Sequence, residues 1–208
     1  EQSDSGQSLV NMMELDLIVG SGGVLSHAPR REQSAKMLID SFLPEGITSL
    51  AVDSIFMMPQ LGVMANIEKK ELAEQARKAA IEVFEKDCLI RLGTCISPVG
   101  DIQGREGILK AKLNFNDGKE KEISIDSGQL VLIDIDFQEV EIILTPSKGV
   151  DVGAGVNEII HTKIYGGKVG IIFDCRGRPL KISDKPNNRL SDLKNWSNSL
   201  NEYPSLEV

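Results

Sequence analysis

The sequence predicts an α/β portion followed by an all-β barrel or sandwich module. Up to residue 86, short apolar runs alternate with stretches of helical period, and after Asp87 one strand-like run follows another, each set off by turn residues. A composition of 41% hydrophobic and 26% charged residues gives the chain the material for a buried core. The expected organisation is an α/β segment at 1–86, a β-rich module at 87–182 and a polar tail at 183–208.

The first element is the apolar run Leu15 to Val19, which reads as a buried strand and ends in the turn Gly20-Ser21-Gly22-Gly23. From Arg30 to Phe42 the period changes: Ala35, Leu38, Ile39 and Phe42 fall on one helical face, and Pro44 with Gly46 stops it. Ser49 to Asp53 reads as a second buried strand. Pro59 to Ala65 reads as a short helix with proline near its start, where the missing N–H is harmless. Asn66 is the expected N-cap of a long helix to about Lys86, carrying Glu74/Lys78 and Glu82/Lys86 four residues apart.

Beyond Asp87 the expected strands are Leu89 to Ile96, Ile108 to Phe115, Lys121 to Ile125, Leu130 to Ile135, Val140 to Thr145, Glu158 to Ile164 and Lys168 to Phe173. Closing them into a barrel or sandwich would leave few open edges. In the tail, Lys185 to Asn188 reads as a loop, and Leu190, Leu193 and Trp196 read as a last amphipathic turn.

Charge and composition exclude several functions. With 31 acidic against 23 basic residues the formal charge is -8, which argues against a nucleic-acid surface. Only six Phe, two Tyr and one Trp are present, too few for an extended stacking platform. No apolar stretch reaches the roughly 20 residues of a membrane-spanning helix, and Glu1 to Gly6 is acidic and polar, unlike a signal peptide. Cys88, Cys95 and Cys175 have neither CxxC spacing nor an even count, which fits a reducing cytoplasm. The chain opens without Met a few residues before its first strand, as a piece of a longer protein would.

Chemistry has a few places to sit. Gly20, Ser21, Gly22 and Gly23, followed by Val24, form a strand-to-turn glycine cluster in which backbone can approach a ligand and present N–H groups. Neither GxGxxG nor GxxxxGK[ST] frames it, so it serves either ligand contact or packing. Asp53 closes a buried strand at the end that faces the ligand crevice in open α/β sheets; it would hold a ribose or hydrated metal, or cap the next helix. Met57, Met58, Met64 and Leu61 read as core filler around it.

His27 and His161 are isolated and make no metal site. Cys175 beside Arg176 is open to a lowered pKa or to simple burial. Asp134 and Asp136 share one face of a strand, as an acid/base pair or as a strand emerging into solvent. Arg176 and Arg178 flank Gly177 after the apolar strand Gly170 to Phe173; they would fork an anion, or pair with Asp174 and hold a domain seam.

Three segments together carry a family resemblance. Leu17-Ile18-Val19-Gly20-Ser21-Gly22-Gly23-Val24-Leu25-Ser26-His27 is the first. Leu50 to Asp53 leading into Met58-Pro59-Gln60-Leu61-Gly62-Val63 is the second, and Gly166-Gly167-Lys168-Val169-Gly170 leading to Asp174 and Arg176-Gly177-Arg178-Pro179-Leu180 is the third. Over most of residues 9–182 the chain resembles the C-terminal part of the glutamate mutase MutL family, which is unrelated to the mismatch-repair protein of the same short name.

That family resembles the actin, sugar-kinase and chaperone ATPase superfamily, so the resemblance implies that the first portion is part of an actin-like ATPase domain. It implies that Gly20, Ser21, Gly22, Gly23 and Val24 contact the adenosine of ATP or ADP with Mg²⁺. It further implies partnership with subunits of an adenosylcobalamin-dependent mutase, whose damaged cofactor is exchanged, with no cobalamin held directly by this chain. The phosphate loop and acidic Mg²⁺ partner of a complete ATPase are absent from these residues, so hydrolysis would belong to a longer chain, and the β-rich module is an appendage to the actin-like core.

Two functions follow as expectations. The first is the C-terminal part of an ATP-dependent reactivating protein for the mutase. The second is a binding module that recognises an anionic metabolite or a mutase subunit through Arg176 and Arg178 without nucleotide.

Overall fold

The computed structural model describes residues 10–67 and 70–205. The polar start from Glu1 to Gly6 lies outside the described residues. After a 3₁₀ turn at Met12–Glu14, the chain forms β1 (Leu17–Gly20), α1 (Gly23–Ser26), α2 (Arg31–Phe42), β2 (Gly46–Asp53), α3 (Met58–Ala65) and α4 (Lys70–Val83). A π-helical turn at Phe84–Cys88 leads into β3 (Leu89–Ser97), β4 (Val99–Gly100), β5 (Leu109–Phe115), β6 (Glu120–Ile125), β7 (Leu130–Ile133), β8 (Glu139–Pro146), β9 (Val150–Asp151), β10 (Ile160–Tyr165), β11 (Gly170–Asp174) and α5 (Pro186–Ser199).

Local sequence sets most of these boundaries. Gln33 Oε1 accepts from the Arg30 N–H at the start of α2, and Leu43 closes that helix in the left-handed region ahead of Pro44. Asn66 departs from expectation: it is the C-cap of α3, where its Nδ2 donates to the Gly62 carbonyl at 2.9 Å, and not the N-cap of the next helix. Capping residues serve both helix ends, and the short connection between α3 and α4 concealed which end this was. In the tail, Lys185 to Asn188 is not a loop. Pro186 is the first residue of the 14-residue helix α5, the position where proline's missing N–H is harmless.

Strands from both sides of Asp87 share one five-stranded sheet in the order β1-β2-β3-β11-β7. β1 runs parallel to β2, β3 runs antiparallel to β2, and β11 runs parallel to β3. A second sheet has the order β10-β8-β5-β6, and β4 pairs with β9. The β-rich stretch is therefore not a closed barrel. Three strands expected in it, β3, β7 and β11, lie in the sheet with β1 and β2, because an entirely buried strand such as β11 needs cover on both faces.

The layers follow. One face of the five-stranded sheet, through Ile18, Leu50, Leu92 and Ile172, packs on Leu38 and Ile39 of α2 and on Trp196 and Leu200 at the end of α5. The opposite face, through Ile96, Ile171 and Phe173, packs on Leu113, Ile142 and Leu144 of the four-stranded sheet. Leu61, Ala80 and Cys88 form a small separate cluster under α3 and α4. Beside it, an apolar groove of about 360 Å³ opens between these helices and Leu17, Val19 and Leu89.

Glycine is required where the central strands touch. Gly93 of β3 and Gly170 of β11 are register partners, both in positive φ, and a Cβ on Gly93 would run into the Gly170 carbonyl. Gly93→Ala is expected to cost about 3 kcal/mol or more and to lower the melting temperature by about 10 °C. Gly104→Ala, also at positive φ but facing open space, should cost only about 1 kcal/mol; thermal denaturation of the two variants against wild type compares them.

Candidate functional site

The carboxyl ends of the parallel strands β1 and β2 lie side by side, with Gly20 opposite Val52. The glycine turn leaves β1 there. Gly22 adopts φ +108°, a conformation that favours glycine, and α1 begins at Gly23. Among the described residues, Cβ atoms added at Gly22 or Gly23 would meet nothing within 4 Å, whereas one at Gly20 would strike Leu25 and Leu38. Gly20 is thus needed for packing under α2, while Gly22 and Gly23 face open space. Val24, the next residue, is 74% exposed.

Asp53 at the end of β2 is fully buried and joins this turn to the next loop. Its carboxylate accepts from the backbone N–H groups of Met57 at 3.1 Å and Met58 at 2.9 Å, and from the Ser21 hydroxyl at 3.2 Å. The Ser26 hydroxyl donates to the Asp53 carbonyl at 2.5 Å. Burial opposes ionisation, but the Met58 and Met57 N–H groups and the Ser21 hydroxyl outweigh it, holding the carboxyl below its ordinary value. Asp53 therefore caps α3 and clips two loops together; its oxygens are already spoken for by the chain. Arg31 and Ser34 brace α1 from α2 by donating to the Ser26 and Leu25 carbonyls.

Arg176 and Arg178 sit at the other end of the sheet. β2 pairs Asp53 with Leu89 at one end and Gly46 with Ser97 at the other, and β11 ends beside the second. An eight-residue strand, roughly 25 Å of extended chain, separates the two ends. The glycine turn and the arginine loop therefore cannot grip one small ligand. Arg176 donates to both oxygens of buried Asp174, from Nε at 2.8 Å and Nη2 at 2.9 Å, and from Nη2 to Asp40 of α2 at 2.8 Å. Arg178 donates to Asp174 at 2.8 Å, to Ser97 Oγ and to the Pro44 carbonyl.

The Arg176 guanidinium lies 5.1 Å from the centroid of the Trp196 ring, which extends the seam to α5. Arg176 Nη1 is buried with no hydrogen-bond partner among the described residues. Burial disfavours the Asp174 carboxylate, yet Arg176 and Arg178 together pull its pKa below the ordinary value. Cys175 takes the simpler of its two expected fates: it is buried, and burial with the Asp174 charge raises its thiol pKa despite the neighbouring arginine. Burial also pushes Cys95 up, to about 12.

The remaining candidates are scattered. His27 follows α1, His161 is exposed on β10, and Asp134 and Asp136 are exposed beyond the end of β7. Among the described residues no group of three or more His, Cys, Asp or Glu is placed to hold a metal ion, and no helix is long and apolar enough to cross a membrane. Leu61 is core, as expected, but Met58 and Met64 are more than a third exposed. Sequence reasoning passed over Ser26 and the loop Ile55-Phe56, whose roles depend on Asp53 being buried.

The fold and this edge define an α/β protein with a glycine turn at the carboxyl end of a parallel strand pair, bound to its neighbouring loop by a buried carboxylate. The MutL protein family model matches residues 3–87 of the 208, so the likeness covers the first part of the chain. The matched segment holds the turn, the Asp53 clip and both strands; the Gly166 to Leu180 segment lies beyond it. No curated protein and no solved structure matches the chain.

Both buried carboxyls titrate below the 3.8 of an ordinary Asp. As the pH falls, the unfolded chain takes up protons before the folded one does, so the stability these groups contribute is complete above that value and is lost as pH drops through their depressed folded values. Denaturant midpoints should fall below about pH 4, and Asp53→Asn should flatten part of that fall. At neutral pH, Asp174→Asn should cost about 3–5 kcal/mol, because it leaves the buried Arg178 without its acidic partner and Arg176 with only the half-buried Asp40.

Proposed function

We propose that this chain is the nucleotide-facing C-terminal part of an ATP-dependent accessory protein that reactivates an adenosylcobalamin-dependent mutase of the glutamate mutase type. The MutL match over residues 3–87 supports the association with glutamate mutase. The observation that carries nucleotide binding is the open space before Gly22 and Gly23 at the carboxyl edge of β1 and β2, where open α/β sheets bind ligands.

On this reading the first portion is part of an actin-like ATPase domain, and Gly22, Gly23 and Val24 receive the adenosine of ATP or ADP. Ser21 and Asp53 hold the turn in place rather than touching the ribose. Backbone can approach the nucleoside closely at the two glycines because no side chain intervenes. The phosphates and Mg²⁺ are met outside these residues, since the arginine loop faces the opposite end of the sheet. Hydrolysis belongs to the longer ATPase. The protein works in the cytoplasm, and the β-rich portion docks on the mutase through the solvent face of β10, β8, β5 and β6.

The reading is tested by thermal denaturation with ADP and with ATP and Mg²⁺. At about 100 times the dissociation constant, binding should add about 2.7 kcal/mol, or about 5–10 °C. Gly23→Val is a cleaner probe than Gly22→Val: Gly23 is the first residue of α1 and its Cβ meets nothing, whereas any side chain at Gly22 strains the backbone. Gly23→Val should abolish the shift while keeping the unliganded melting temperature within about 2 °C of wild type. An unchanged melting temperature for wild type at saturating nucleotide would sink the proposal.

A further inference from the structure

The loop after β2 holds a residue that neither the fold nor the Asp53 clip explains. Phe56 has φ +59°, a conformation that is an outlier for a bulky side chain. The backbone has a reason to turn there: it brings the Met57 and Met58 N–H groups back onto the Asp53 carboxylate. Glycine would make that turn without strain. The phenylalanine ring does not repay the strain by packing, because the residue is 51% exposed. The other non-glycine residues in this region are explained locally: Leu43 closes α2, and Asn157 and Asn201 are of the type that tolerates it.

Phe56 is not alone at this edge. Ile55 beside it is 57% exposed, and Val24 across the clip is 74% exposed. The two loops that carry them are bonded through Ser21, Ser26 and Asp53. Three apolar side chains are thus exposed on the two segments that Asp53 joins, in a chain with only nine aromatic residues.

We propose that Phe56, flanked by Ile55 and Val24, is the stacking surface for the base of the nucleotide received at the glycine turn, and so a specificity-determining residue of that site. The proposal rests on the nucleotide reading above. A planar heteroaromatic ring suits this lip because stacking on an exposed aromatic needs area and no hydrogen-bond partner. The Asp53 clip joins the loop that carries the ring to the glycine turn, so the base would meet a preorganised edge.

Phe56→Gly separates this role from a structural one, because it removes the ring and relieves the strain together. Its unliganded melting temperature should stay level or rise. ADP should bind it about ten-fold more weakly than wild type, and Phe56→Trp should restore the affinity. Inorganic pyrophosphate, which has no base, should bind neither protein, because the phosphates are met outside these residues. Titration calorimetry of the 208-residue chain with ADP and pyrophosphate reads all of these. If wild type binds ADP and Phe56→Gly binds it equally well, the stacking surface falls and the nucleotide reading stands. If wild type binds no ADP, both fall. A Phe56→Gly protein that melts well below wild type makes the ring a packing residue and also overturns the proposal.

Discussion

Asp174 is the constraint on which the layers of this structure depend. Its carboxylate has no exposed surface, a situation that costs several kcal/mol unless the charge is fully met. Two arginines meet it, and each reaches on to a different part of the chain. Arg176 continues to Asp40 on α2 and lies against Trp196 on α5; Arg178 continues to Ser97 of β3 and to the carbonyl of Pro44, just before β2. Lys36 completes the chain of charges by pairing with Asp40. A single buried anion at the end of β11 thereby fixes both helices on one face and the ends of two strands. Apolar packing on that face is non-directional; the ion network gives it a register.

The two ends of the sheet consequently do different things. At the Asp174 end nearly every polar group is used internally. At the Asp53 end the internal bonds stop at the carboxylate and the two serines, and the backbone of Gly22 and Gly23 together with three apolar side chains is left facing outward. A buried carboxylate serves both ends, but Asp174 binds formal charges whereas Asp53 binds N–H and O–H dipoles. The first arrangement locks layers together, and the second sets the spacing of two loops.

Much of this was legible in the sequence. The apolar run before Gly20 and the period of Ala35, Leu38 and Ile39 located β1 and α2, and the strands after residue 87 were found nearly one for one. Their assembly was not legible. Nothing in the alternation of Leu109 to Phe115 differs in kind from that of Leu89 to Ser97, yet one strand joins the outer sheet and the other the central one. What separates them is burial on both faces, already hinted at by the unbroken apolar run of β11. At the site, glycine spacing pointed to the turn. Whether each glycine served packing or access required knowing what lay in front of it, and Gly20 and Gly22 proved to differ.

The same reasoning explains why Asp53 is better suited than Asn to its place. An amide presents one acceptor oxygen, so it could not receive Met57, Met58 and Ser21 in the geometry that two carboxylate oxygens allow. One of its NH₂ hydrogens would instead face a backbone N–H in a buried site, leaving donors without acceptors. The loop would then open where Phe56 is strained, because the carboxylate's bonds to the Met57 and Met58 N–H groups close the turn there. A change two strands deep in the sheet would thus be felt at the exposed edge as a change in the distance between the glycine turn and the apolar lip, with no ligand-facing atom altered.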